Sequence, residues 1–309
     1  MSTDTTLQPM AAPRAYSSFS PGRIWTIATN TFTQLLRMKI LVFLAVFAVI
    51  VLVFAFFVPA LLNRAEQQFS MLNNGSIGAL QIISYVIAIA ATALLIPRDM
   101  EDRTLYTILC KPVPRHEYLV GKLLGVILLL AAGLVVMDVI FCAVLWLKQS
   151  MLAHSYYAAL QAEHKDTPEN IAQVREFVSR FGPSWSLQAG LWCVFLKACV
   201  MTSMALLMSC IASSTLFTII VSLCFAIVGH GEGLLRSFVL KSLTVTWKKL
   251  FSFIIAILCP DLTLFDLVDA AVRGASIPIF YLAQITGFAV LYIVLYTAVA
   301  YLFFAEKEL

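Results

Sequence analysis

Six apolar runs constrain this chain more than any other feature. They cover residues 40–62, 77–96, 123–147, 187–208, 211–228 and 279–304. Each is near the ~20 apolar residues that a helix needs to cross the ~30 Å hydrocarbon core of a bilayer. With no water to satisfy backbone N–H and C=O groups, lipid tolerates only structures that bond them internally. The expected fold is therefore an all-α integral membrane protein with about six spans. Composition agrees: of 309 residues, 61% are hydrophobic and only 12% charged, against about 25% charged in globular domains. Mean hydropathy is +0.91. Nothing is left over for a second globular domain. The net charge of +4 is not gathered into a patch of the kind that binds nucleic acid.

The seven cysteines form no CxxC, and most lie within the apolar runs, where a free thiol behaves as a small apolar side chain. Residues 1–19 are rich in Ser, Thr, Ala and Pro and read as a disordered tail, not a signal peptide. Ser20-Pro21 reads as a helix start. Ile24, Ile27, Ala28, Thr31 and Leu35 follow at helical spacing, which predicts an interfacial helix ahead of the first span. Residues 63–76 read as a short polar link, 148–186 and 229–278 as outer segments. Thr167-Pro168-Glu169 looks like a helix start within the first of these. Residues 250–258 are apolar but too short to span, and read as re-entrant or interfacial.

The most charged connection is 97–125, PRDMEDRTLYTILCKPVPRHEYLVGKLLG. Leu105, Tyr106, Ile108 and Leu109 fall on one helical face between charges of both signs. That is the pattern of a short amphipathic helix at a membrane surface. Pro112 and Pro114 then end it. Glu101-Asp102-Arg103-Thr104-Leu105, Leu109, Lys111-Pro112-Val113-Pro114-Arg115 and Tyr118-Leu119-Val120-Gly121-Lys122 resemble the loop between spans two and three of type-2 ABC transporter permeases. Arg103 departs from the Gly that many members place before the Thr. Asp261-Leu262-Thr263-Leu264-Phe265-Asp266-Leu267 after Pro260 resembles the family's segment before its last span. With the six-span layout, the likeness covers residues 20–309 as one permease domain.

The resemblance implies a cytoplasmic coupling helix that docks on a separate ATPase subunit. Arg98, Glu101, Asp102, Arg103, Thr104, Leu105, Leu109, Lys111 and Arg115 would form the contact. It implies a dimer of this chain or of a paralogue with two ATPase copies, in a bacterial cytoplasmic membrane, working as an exporter. The chain itself shows no phosphate loop: Gly121-Lys122 lacks the Gly five residues earlier and the Ser or Thr after Lys. ATP and magnesium would therefore act in the partner. The cargo is not legible, though apolar spans favour a hydrophobic or amphipathic one. The competing reading is a membrane-embedded scaffold or enzyme with no ATPase partner.

Basic residues tie at ten on each side of the six spans. Short loops and the first span weigh most in setting orientation. Arg37 and Lys39 before the first span, against Arg64 after it, favour cytoplasmic termini. The five basic residues of the 97–125 loop agree. Asp138 and Lys197 lie inside spans three and four, each ~14 Å below the outer surface at ~1.5 Å per residue. A charge at such depth calls for a partner or a cavity. They read as an ion pair between the two helices, or as groups lining a path. His154 and His164 have no metal-ligand spacing. His230-Gly231-Glu232 reads as part of a flexible outer turn, and no metal site is expected.

Overall fold

The computed structural model describes residues 20–37, 40–61, 64–101, 114–162, 167–179, 182–212, 214–241, 260–267, 270, 275 and 277–306. The described residues are almost all helical, with no strand among them. In order they form α1 (Pro21–Leu36), α2 (Ile40–Leu61), α3 (Ala65–Glu101), α4 (Arg115–Ala162), α5 (Pro168–Ser179), α6 (Trp185–Ile211), α7 (Thr215–Lys241), a 3₁₀ turn (Leu262–Phe265) and α8 (Ile279–Glu306). Within α3, α4, α6 and α8 are stretches long and apolar enough to cross a membrane. Shorter apolar stretches, Ala45–Ala55 and Thr215–Gly231, lie in α2 and α7.

Helix α6 is the axis of the bundle. It is apolar on every side, as a helix surrounded by others must be, and packs against α3, α4, α7 and α8. Two of its hydroxyls are satisfied within the helix: Thr202 donates to the Ala198 carbonyl and Ser203 to that of Val200. Such bonds let polar side chains sit in an apolar interior at little cost. The outward faces of α2, α4, α7 and α8 are apolar too, as Phe57, Val139, Ile220 and Leu291 illustrate. Lipid is the matching solvent for such a surface.

Several elements are longer than the apolar runs alone suggest. Residues 65–76 of the polar link form the first part of α3, which starts at Ala65. The helix that contains the third apolar run does not stop at residue 147. Helix α4 continues to Ala162, 48 residues in all, or ~72 Å at ~1.5 Å per residue. Its extension pairs with α5: Gln149 Nε2 donates to the Val178 carbonyl at 3.0 Å, and Tyr156 meets Phe177 edge-on at 5.7 Å. The helix start at Pro168 is where the sequence places it.

The expected outer turn around His230 is helical as well, since α7 runs unbroken to Lys241. Its glycine at 229 serves packing. A Cβ there would stand 2.8 Å from the Pro260 carbonyl oxygen, so only glycine lets the 260–267 segment close on α7. That segment is anchored by Leu262 and Phe265, both fully buried, and by Asp261, which caps the 3₁₀ turn at the Thr263 N–H. The predicted re-entrant stretch at 250–258 lies outside the described residues.

Candidate functional site

The charged connection returns to the bundle at Pro114, and the structure around that point is tightly built. Helix α1 lies against the first turns of α4, burying Ile24, Ala28, Thr31 and Leu35. Those four are among the positions that the helical spacing selects. The approach is close because α4 presents Gly121 and Gly125, one turn apart. A Cβ on Gly121 would stand 2.8 Å from Ile27 Cβ, and one on Gly125 2.6 Å from Thr31 Cβ and 2.8 Å from the Ala28 carbonyl oxygen. Small residues on one stripe let two backbones meet in this way.

An ion pair fixes the start of α1 to the same place. Ser20 occupies the N-cap position, but its side chain makes no capping bond. Its backbone N–H donates to Glu117 Oε1 at 2.6 Å instead. Arg23 reaches the same carboxylate through Nη2 at 3.0 Å and Nε at 2.7 Å. Glu117 is fully buried, so a forked, charge-assisted contact is what it requires. Replacing Glu117 with alanine should cost about 1.5 kcal/mol, the lower end for a hydrogen bond to a charged group because Arg23 keeps some solvent access. The loss should appear as faster amide exchange across α1, with that of α6 unchanged.

Arg115, the one expected coupling residue whose side chain is described, donates to the Phe304 and Ala305 carbonyls at 3.2 and 2.7 Å. These are carbonyls that the end of α8 leaves unpaired. Tyr118 stacks on Phe304 nearby, with ring centroids 5.9 Å apart. The start of α1, the return of the charged loop and the end of α8 therefore meet at one end of the bundle. Arg98 and Glu101 lie in the last turns of α3, where the structure describes backbone alone. Asp102, Arg103, Thr104, Leu105, Leu109 and Lys111 lie outside the described residues.

The expected ion pair between Asp138 and Lys197 does not form. The fully buried Lys197 reaches Asp266 Oδ1 at 3.4 Å and Gln81 Oε1 at 3.5 Å. Asp138 accepts from Gln188 Nε2 at 3.2 Å and from the Cys142 thiol at 3.3 Å. The physical reason is register. Because α4 runs on to Ala162, residue 147 is not level with residue 187. Asp138 stands opposite Gln188, and Lys197 lies nine residues, about 14 Å, further along α6.

Around Lys197 the structure assembles a polar chain that the sequence leaves hidden. Gln81 accepts from Lys197 through its oxygen, and its Nε2 stands 2.9 Å from His230 Nε2. His230 Nδ1 stands 2.9 Å from the Ala226 carbonyl. A carbonyl only accepts, so Nδ1 carries the proton and Nε2 accepts from the Gln81 amide. The Tyr85 hydroxyl lies 3.4 Å from the same nitrogen. Asp266, Lys197, Gln81, His230 and Tyr85 thus join the 260–267 segment to α6, α3 and α7. Lys197 and His230 lie ~21 Å and ~22 Å from the short link between α6 and α7, at ~1.5 Å per residue. The chain is therefore deep in the bundle, and a cation so deep is retained for a structural or functional reason. Asp266 carried a signal: the anchors Leu262 and Phe265 flank a turn that delivers it. His230 was masked by its glycines.

Among the described residues no three His, Cys, Asp or Glu side chains converge as a metal set. No protein-family model matches the chain, and no curated protein is significantly similar to it.

Proposed function

We propose that the chain is the membrane-spanning permease subunit of an ATP-driven ABC exporter. In this reading it has six spans, with both ends and the loop 97–122 on the cytoplasmic side of a bacterial inner membrane. It pairs with a second permease copy or a paralogue and with two ATPase subunits, which bind ATP and magnesium. The observation that carries it is the convergence at the base of α4: a loop with a coupling-helix pattern returns where Glu117 holds α1 and Arg115 holds the end of α8. A push on that loop is thereby delivered to three helices at once, as a coupling element requires. Closure of the ATPases moves the loop, and α4 carries the motion to α6.

The second reading is a membrane-embedded scaffold or enzyme. The chain of polar groups around Lys197 favours it, since convergent polar side chains inside spans are what either would need. The two readings part at the loop. In a chain depleted of its other cysteines, Thr104→Cys is expected to react with a membrane-impermeant maleimide only from the cytoplasmic side. A bifunctional thiol reagent should then join it to an ATPase. Labelling from the outside, or no cross-linked partner at a reactive cysteine, counts against the permease reading.

A further inference from the structure

Asp138 has no cation within salt-bridge distance among the described residues. It opens into a groove of about 180 Å³ between α4 and α6, walled by Leu134, Val135, Gln188, Trp192 and Phe195. Val135 and Trp192 are 62% and 45% exposed, so the groove opens on the outward, lipid-facing surface. Asp138 stands level with Gln188, near the start of α6, and is half-buried beside the apolar walls of the groove. A carboxylate in such apolar surroundings is costly without a partner. Gln188 and Cys142 each donate one hydrogen bond to its Oδ1, and neither supplies charge.

The aromatic wall is fixed. Trp192 donates its indole N–H to Thr286 Oγ1 of α8 at 3.1 Å, and its ring lies 5.4 Å from that of Phe195. A cation beside the carboxylate would also have an indole ring close by, and tryptophan is the strongest of the aromatic cation partners. The groove is smaller than the roughly 300–1,000 Å³ of pockets that enclose a drug-sized ligand. It has room for a headgroup, with the tail lying along Val135 and Val139 in the bilayer.

We propose that this groove binds a lipophilic ammonium: a cationic amine head against Asp138 and Trp192, with an apolar tail in the lipid. The site needs no ATPase, so its test is separate from that of the transport reading. The whole chain, in nanodiscs of phosphatidylcholine, is titrated with radiolabelled dodecyltrimethylammonium and, in parallel, with dodecanol. The ammonium should bind saturably and the alcohol should not. Asp138→Asn should weaken the ammonium about tenfold, and Trp192→Leu about threefold, the share of an exposed cation–π contact. Ala131→Phe, which fills the groove and keeps the carboxylate, should abolish binding. It decides the matter if Asp138→Asn fails to fold. Equal binding by wild type and Asp138→Asn, equal binding of ammonium and alcohol, or retention by Ala131→Phe would overturn the proposal. So would an absence of saturable binding in the folded wild type, as when a second copy covers the groove.

Discussion

Replacing Gly125 with leucine is expected to lift α1 from α4 and to uncouple the base of the bundle from the charged loop. Even the first added carbon meets the Ala28 carbonyl oxygen at 2.8 Å. That obstacle is backbone, which cannot turn aside as a flexible side chain does. Exchanging Gly for a better helix former gains about 1 kcal/mol in a helix interior. Overpacking costs typically 1–3 kcal/mol and occasionally more. With two backbones in contact the upper end applies, so the clash wins by roughly 2 kcal/mol. The control lies on the same helix. A Cβ on Gly133 meets nothing within 4 Å, so Gly133→Ala should keep the propensity gain and be neutral or slightly stabilising. Amide exchange across residues 21–36 separates the two: fast in Gly125→Leu, as wild type in Gly133→Ala.

The second large effect is an asymmetry at Lys197. Removing Asp266 leaves a fully buried ammonium with only the Gln81 oxygen, at 3.5 Å, beside it. An uncompensated buried charge of this kind costs about 3–5 kcal/mol. Removing the lysine instead leaves Asp266 with half its side chain still accessible, and an apolar residue fills the vacated space. Asp266→Ala should therefore destabilise the bundle far more than Lys197→Met. The double variant should recover most of the loss, because exchanging a whole buried pair for apolar groups is often neutral. Thermal unfolding of the three variants in one lipid decides it. Equal losses from the two single changes would contradict the pairing.

What the sequence reveals of this chain follows from which signals are periodic. The buried face of α1 is legible because Ile24, Ala28, Thr31 and Leu35 repeat at the helical period. The start of α5 is legible because proline at a first turn is a local signal. The far end of α4 is not: Lys148 to Ala162 is polar but rich in good helix formers, so the apolar run stops where the helix does not. Depth along two spans places Asp138 and Lys197 at one level only if the ends of both spans are known. It also says nothing of which way each side chain faces. His230 is hidden by flanking glycines that resemble a turn, although Gly229 is there to admit the Pro260 backbone. Its partners Gln81 and Tyr85 lie some 150 residues away in the chain, beyond the reach of any local pattern.

The permease reading requires the loop 97–122 to engage a separate ATPase. Its most direct test is capture of the tagged whole chain from mild detergent, followed by mass spectrometry of what accompanies it. Wild type and the double variant Glu101→Arg/Leu105→Asp are compared, both shown to be folded. The permease reading predicts an ABC ATPase with the wild type and its loss from the variant. Folded wild type that brings down no ATPase would contradict it and leave the loop a charged connector.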